Sequence, residues 1–201
     1  HGGRHHNAFT APDRTCYSLT LPENRGETVE KAVICLADIA GELSLLSSAL
    51  ESERRVILEE MRARSGPARR VRERLLGRLL PGSRLLERHP LGTEEVVRSV
   101  TPTRLEDFYR RWYRPELATV LAVGDLKPEL LEELVRRHFD GWRGSGPRPV
   151  KPEAGIEEPT ADVAEVMADP EVSDVQVRLL RVRPWLAPTR RGELEAEVVD
   201  Q

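Results

Sequence analysis

The sequence is poor in the features that mark several classes of protein. It has two cysteines among 201 residues, too few for the disulfide framework of a small secreted domain. Cys16 and Cys35 lie in apolar-patterned segments at a spacing that matches no metal-binding motif, so we expect buried free thiols. No apolar run approaches the length of a membrane span, and the first residues do not have the pattern of a signal peptide.

A strong charge of one sign is also missing. The formal net charge is −3, from 31 basic and 34 acidic residues, so we expect no general attraction to nucleic acid or to anionic lipid. Arginine is nevertheless dense between residues 68 and 80. These arginines circle the predicted helix without interleaved aromatic residues, which favours a solvated helix. An arginine-rich module that binds nucleic acid is the alternative interpretation.

Hydrophobic periodicity predicts a chain that contains both helices and strands. Alternating residues indicate a half-buried strand over 15–21, and a continuous apolar run indicates a buried strand over 117–123. Thr101 is predicted to cap a helix that has Pro102 at its first position. Further helices are predicted over 27–40, around 53–61, over 68–80 and over 128–139.

A composition change divides the chain. Residues 144–159 contain three glycines and four prolines, which is typical of a linker. After it, 162–168 and 175–182 alternate as strands, and an amphipathic segment begins at 193–199. We therefore predict a first domain over 1–143, a linker over 144–160 and the beginning of a second, similar domain over 161–201. Because the chain begins at His1 and stops inside a predicted helix, it is interpreted as a fragment.

The helix around 53–61 carries two acids on one face. Glu53 and Glu60 are seven residues apart, which is two helical turns, and Val56 and Ile57 lie between them. A carboxylate at an apolar surface usually has a partner or a metal ion. The alternative is a solvated face whose acids pair with nearby arginines. His1, His5 and His6 do not have the spacing of a known metal motif and are expected to be exposed.

Five segments extend this observation. They are Gly2-Gly3-x-x-x-Asn7-Ala8-Phe9-Thr10, Glu53-Arg54-x-Val56-Ile57-Leu58-x-Glu60, Pro90-Leu91-Gly92-Thr93, Phe108-Tyr109-x-x-Trp112-Tyr113-x-Pro115 and Val123-Gly124-Asp125. In this order the chain resembles the insulinase/pitrilysin metallopeptidases, the inverzincins that bind zinc through H-x-x-E-H. Asp169-Pro170-Glu171 resembles the start of that family's second domain.

The resemblance implies a fold and a set of site residues. The fold would be α+β, an antiparallel sheet with helices packed on one side, followed by the start of a second such domain. Glu60 would be the third zinc ligand, and Glu53 would lie behind the ligands and orient a histidine. The segment Asn7, Ala8, Phe9 and Thr10 would be the edge strand to which an extended peptide substrate pairs.

The resemblance also implies what the chain does not contain. H-x-x-E-H would precede Gly2-Gly3, so both histidine ligands and the general base are missing, and we expect the fragment itself to be inactive. The longer protein would be a zinc-dependent metalloendopeptidase that cleaves extended peptides or small unfolded proteins. The alternative is an inactive partner subunit of the same family, in a homo- or hetero-dimer. The compartment is left open, with a bacterial periplasm or cytoplasm favoured.

Overall fold

The structure, a computed structural model, describes residues 4–157 and 160–182. Two strands come first and helices follow, which confirms the predicted α+β class. The elements are β1 (Arg4–Ala11), β2 (Arg14–Thr20), α1 (Gly26–Gly41), α2 (Ser47–Ala63), α3 (Pro67–Leu79), α4 (Arg84–Glu87), α5 (Glu94–Ser99), α6 (Pro102–Trp112) and α7 (Pro128–Phe139), with one 3₁₀ turn at Pro115–Leu117.

The strands β1 and β2 form an antiparallel hairpin. Asn7 lies opposite Ser18 and Thr10 lies opposite Thr15, with an irregularity between Arg4 and His6. The strand predicted over 15–21 is confirmed with its bounds moved by one residue. Within the described residues β2 is the strand that pairs with β1, so the other edge of β1 has unpaired main-chain groups.

The main core lies between α1 and α7. Val29, Val33 and Leu134 are buried, because apolar residues spaced four apart on a helix share one face. The two predicted helices, 27–40 and 128–139, are confirmed. Partly buried residues complete this core: Leu21, Leu126, Leu130, Leu131 and Phe139.

Tyrosines attach α6 to the hairpin and to α1. The hydroxyl oxygens of Tyr17 and Tyr113 are 2.6 Å apart, and burial raises the pKa of Tyr113. The Tyr109 hydroxyl donates to the Ile39 carbonyl at 2.8 Å. At the start of α6 the Thr101 hydroxyl accepts from the main chain, which confirms its predicted role as a cap.

Arg114 holds the segment that follows α7. Its side chain is only 4% exposed, and its guanidinium donates to the carbonyls of Ser145 at 2.9 Å, Gly146 at 3.2 Å and Pro147 at 3.0 Å. The first residues of the predicted linker are therefore held in place by a buried cation, because each carbonyl gains a charge-assisted hydrogen bond.

The described chain divides into two compact units. One contains the chain up to Arg64 together with Glu87–Glu153, and the other contains Ser65–Leu86 together with the chain from Ala154. The helix α3 thus belongs with residues that come much later in the chain. The domain limits predicted above, 1–143, 144–160 and 161–201, stay a prediction.

In the second of these units, arginines of α3 bind the returning chain. Arg70 makes two hydrogen bonds of 2.8 Å to the carboxylate of Asp169. Arg74 donates to the Ala168 carbonyl at 2.9 Å, and Arg78 pairs with Glu165 at 2.9 Å. The expectation that the arginines circle the helix is wrong for these three, which are spaced four apart and form one stripe. Their acceptors belong to this chain, which weighs against the nucleic-acid interpretation.

The Arg70–Asp169 pair makes the docking of residues 165–171 dependent on pH. The guanidinium of Arg70 and the Glu171 amide lower the pKa of Asp169 to about 2. The lowered pKa means that this contribution to stability is full above the ordinary carboxyl pKa of about 4 and is lost as pH falls toward 2. We expect hydrogen exchange in 165–171 to accelerate in Arg70→Gln at pH 7, and in the wild type only below about pH 4. Arg72→Gln, on an exposed position of α3, is the control, and equal protection in both variants would contradict the prediction.

Three predicted strands are not formed, and those predictions are wrong. Residues 118–123, 162–168 and 175–182 are not in strands. A strand is stabilised by hydrogen bonds to a neighbouring strand, and the described residues place none beside these segments. Their side chains consequently face solvent: Leu121 is 83% exposed and Val177 is 96% exposed. The segment 193–199 lies outside the described residues.

The cysteines differ from the expectation. Cys16 and Cys35 are free but exposed, so the expectation of buried thiols is wrong. The reason is that apolar patterning in a segment does not place every residue of it on the inner face. Among the helices that the structure describes, none has the length and apolar character needed to cross a membrane.

Candidate functional site

The helix α2 carries both acids that the sequence singles out. It runs through 17 residues, Ser47–Ala63, and ends before the Ser65-Gly66-Pro67 sequence, because the residue before a proline disfavours helical backbone. Met61 is its buried residue, and the helix packs against α5.

Glu60 lies near the end of α2 with its carboxylate partly accessible. Its side chain is 38% exposed, and one carboxylate oxygen is 2.7 Å from Nη2 of Arg64, one turn further along the helix. Arg64 is itself 64% exposed. An exposed ion pair of this spacing contributes little to stability, so the arginine can be displaced from the carboxylate at low cost.

Glu53 lies two turns before Glu60 and is exposed. Between the two acids, Val56 is 57% exposed and Ile57 is half-buried. The apolar strip that the sequence indicates between the acids is therefore open to solvent on this side. The Glu53 carboxylate is accessible to another group, whereas the Glu60–Arg64 pair matches the alternative of a solvated face.

Arg54 follows Glu53 in the chain, and its side chain contacts the end of α5. Its side chain is 13% exposed, and its guanidinium donates to the carbonyls of Val97 and Val100, the latter at 2.7 Å. It also pairs with Glu51 at 3.0 Å. The two carbonyls lie at the carboxyl end of α5, where the helix dipole favours a cation.

The strand segment from Asn7 to Thr10 is exposed on β1. Among the residues that the structure describes, its partner strand is β2, and on that side the Ser18 hydroxyl donates to the Asn7 carbonyl at 3.3 Å. A cavity of about 370 Å³ opens beside it between the hairpin and α1. The residues lining this cavity are Asn7, Ala8, Tyr17, Ser18, Leu19, Cys35, Leu36 and Ile39.

One residue of this region has the chemistry of a zinc ligand. Zinc accepts carboxylate oxygen as a ligand, and the Glu60 carboxylate is accessible with a displaceable partner, so it fits the role of a single ligand. Over the ranges 4–157 and 160–182, no three histidine, cysteine, aspartate or glutamate side chains converge on a metal position. His1 and the side chains of His5 and His6 lie outside what the structure describes.

Some residues of the site region were missed by sequence reasoning. Arg54 and Arg114 act through main-chain carbonyls far along the chain, and carbonyl acceptors leave no sequence signal. The one available sign for Arg54 is its position, since it lies seven residues before Met61 and so on the buried face of α2.

Comparison with protein families places both halves of the chain in one group. A model described as insulinase (peptidase family M16) matches residues 1–85. A model described as the peptidase M16 inactive domain matches residues 99–185.

Curated relatives are named as zinc proteases. A zinc protease PQQL-like protein of Arabidopsis thaliana is 33% identical over 147 residues, 73% of this chain and 15% of that protein. The probable zinc protease PqqL of Escherichia coli K12 is 33% identical over 124 residues, 62% of this chain and 13% of that protein. The chain therefore spans about one seventh of the length of these two relatives.

Solved structures show the same likeness. The first half of the periplasmic protease PqqL from Escherichia coli is 26% identical, with a TM-score of 0.71, and the match covers 77% of this chain and 33% of that one. The ferredoxin protease FusC, as a mutant in complex with Arabidopsis ferredoxin, is 31% identical with a TM-score of 0.68, covering 73% of this chain and 16% of that one.

Proposed function

Because this chain belongs to the insulinase (M16) family of peptidases, we propose that it is part of a longer zinc metalloendopeptidase. That longer protein is called the intact protein below. Its substrates would be extended peptides or small unfolded proteins. The observation that carries the proposal is the exposed edge of β1, the edge opposite its partner β2 within the described residues. The chain's relatives are zinc proteases.

The free edge of β1 suits a peptide substrate. Its unpaired N–H and C=O groups can form a ladder with any extended chain, while side-chain pockets add only moderate selectivity. The adjacent cavity lined by Ala8, Tyr17 and Leu36 can accept a side chain of such a peptide. Folded proteins have few unpaired extended segments, so this mode of binding favours unfolded substrates.

The helix α2 would supply the metal-facing groups of this chain. Bound zinc supplies Lewis acidity, which activates water for attack on a peptide carbonyl. Glu60 would contribute one oxygen ligand, and two histidines from outside the described residues would complete the set. Glu53 would accept a hydrogen bond from one of these histidines and so fix its tautomer and ring orientation.

The function is tested with the intact protein and an unfolded substrate. We expect purified protein to contain one zinc ion per chain by elemental analysis and to cleave a reduced, unfolded protein but not its folded form. Removal of zinc with a chelator should stop cleavage, and added zinc should restore it. Intact protein without zinc and without cleavage would contradict the proposal.

A proline scan of β1 tests the substrate edge. Residues 12 and 13 form a two-residue turn, so Ala11 and Arg14 are the first hydrogen-bonded pair, and the N–H of Ala8 points away from β2. Ala8→Pro should therefore raise KM for unfolded peptides about tenfold with a small loss of stability, since it removes one ladder bond to substrate.

The matched control for the edge is Phe9→Pro. The N–H of Phe9 points toward β2 by the same alternation, so this change should lower the melting temperature of the hairpin region. Equal effects of the two prolines on KM would show that peptides do not pair with this edge.

One observation favours the rival function, an inactive partner subunit in a homo- or hetero-dimer. Glu60 already has a cationic partner in Arg64, as expected for a solvated helix without a metal. Such a subunit would retain binding of unfolded peptides to β1 but would hold no zinc. Elemental analysis of the intact protein therefore separates the two functions.

A further inference from the structure

The contact between α2 and α5 has a consequence for the acids on α2. Arg54 lies within α2 with its side chain 13% exposed, although arginine is rarely buried without partners. Its partners are the carbonyls of Val97 and Val100 and the carboxylate of Glu51. Because a guanidinium presents its donors in a rigid planar fork, two such acceptors fix its orientation.

The face that Arg54 shares with Met61 is the buried face of α2. The two residues are seven apart, so they lie on one side of the helix. Met61 is 8% exposed, and Val97 of α5 is 9% exposed. The contact between α2 and α5 therefore has an apolar part, Met61 with Val97, and a polar part, Arg54. Apolar packing is non-directional, whereas the directed hydrogen bonds of Arg54 fix the rotation of α2 about its axis.

The two acids are placed by that same rotation. Glu53 precedes Arg54 by one residue and Glu60 precedes Met61 by one residue. The acids therefore lie about 100° around the helix from the Arg54–Met61 face. Because the acceptors of Arg54 are main-chain carbonyls at the end of α5, they hold the guanidinium at positions that do not change with side-chain rotation.

The size of the effect follows from helix geometry. A side-chain group lies about 6 Å from the helix axis, so a rotation of about 10° moves a carboxylate by about 1 Å. A metal ligand must lie within about 0.2 Å of its ideal distance. A small loss of rotational order in α2 is therefore enough to weaken a metal site, even where the helix stays folded.

We propose that Arg54 is a positioning residue, which sets the direction of the Glu60 and Glu53 carboxylates by fixing the rotation of α2 against the carbonyls of Val97 and Val100. This inference rests on the proposed function, in which Glu60 binds zinc and Glu53 supports a histidine ligand of that zinc. Arg54 itself touches neither metal nor substrate in this arrangement.

The test uses the intact protein in four forms: wild type, Arg54→Met, Arg54→Lys and Arg55→Met. Methionine keeps the length of the side chain and removes both charge and fork, whereas lysine keeps the charge and removes the fork. Arg55 is the adjacent exposed residue of α2 and serves as the matched control. The zinc dissociation constant is measured by competition with a chelator, and the metal-free melting temperature is measured separately.

We expect Arg54→Met to weaken zinc binding at least about tenfold at temperatures where the variant is fully folded, since supporting residues contribute on this scale. Arg54→Lys should fall between it and the wild type, and Arg55→Met should bind zinc as the wild type does. The absorption bands of the cobalt-substituted protein should shift in Arg54→Met, because they report ligand geometry.

Other outcomes overturn the inference in distinct ways. A lower melting temperature with an unchanged zinc dissociation constant would show that Arg54 only stabilises the fold. If Arg54→Met does not fold, the same two measurements are made on Arg54→Lys, and an unchanged zinc dissociation constant in that variant would overturn the inference. A wild-type protein that binds no zinc would overturn the proposed function, and this inference with it.

Discussion

Replacement of Glu60 by glutamine in the intact protein should remove stoichiometric zinc and peptide cleavage together. The amide is nearly the same size as the carboxylate but is uncharged and is a poor ligand for zinc. Loss of a supporting residue alone costs about 10- to 100-fold in metal affinity, so loss of a ligand should cost more than about hundredfold. Zinc content is measured by elemental analysis and cleavage with an unfolded protein substrate.

Two neighbours of Glu60 make the experiment specific. Glu59→Gln changes an exposed acid that pairs with Arg62 at 2.7 Å, and we expect it to keep zinc and activity. Arg64→Met removes the present partner of Glu60, and we expect zinc binding to be retained or tightened, because no cation then competes with the metal. Unchanged zinc content and activity in Glu60→Gln would show that this carboxylate is not a ligand.

Replacement of Gly144 by alanine should destabilise the first unit by about 1–3 kcal/mol, the usual cost of overpacking a filled site. A Cβ at this position would lie 2.6 Å from Nε of Arg114. The guanidinium cannot move aside without loss, because the carbonyls of Ser145, Gly146 and Pro147 hold it. Thermal and denaturant unfolding of the chain measure the effect.

The contact between Gly144 and Arg114 can also be altered by replacing Arg114. Arg114→Met should cost about 2–4 kcal/mol, because it removes the hydrogen bonds of a buried guanidinium to three carbonyls and its ion pair with Glu116. Gly141→Ala is the matched control, since nothing lies within 4 Å of its added Cβ, and it should change stability by less than about 0.5 kcal/mol. Equal stability of Gly144→Ala and Gly141→Ala would contradict the close packing of Arg114 against Gly144.

The helices were predictable from the sequence because their determinants are local. Spacing of apolar residues located α1 and α7, and Thr101 with Pro102 located the start of α6. The strand β2 was equally readable from alternation, because its partner β1 adjoins it through a two-residue turn. These elements depend on neighbours a few residues away, which a periodic pattern records.

What could not be predicted depends on distant partners. Residues 118–123 have the composition of a strand, but a strand also needs a neighbour, and composition does not say whether one is present. The stripe of Arg70, Arg74 and Arg78 was missed because its meaning depends on Glu165 and Asp169, which lie far along the chain. Spacing pointed to Glu53 and Glu60, but their roles at a metal site came only from the family resemblance, since Glu60 alone is an ordinary surface acid paired with Arg64.

The exposed segment 175–180 has a practical consequence for work with the isolated chain. Val175, Val177 and Leu179 alternate with polar residues and are each more than nine-tenths exposed. Such a row of aliphatic side chains on unpaired backbone is a template for intermolecular β-sheet growth. Preparations of these 201 residues by themselves will therefore tend toward aggregation, and low protein concentration will favour the monomer.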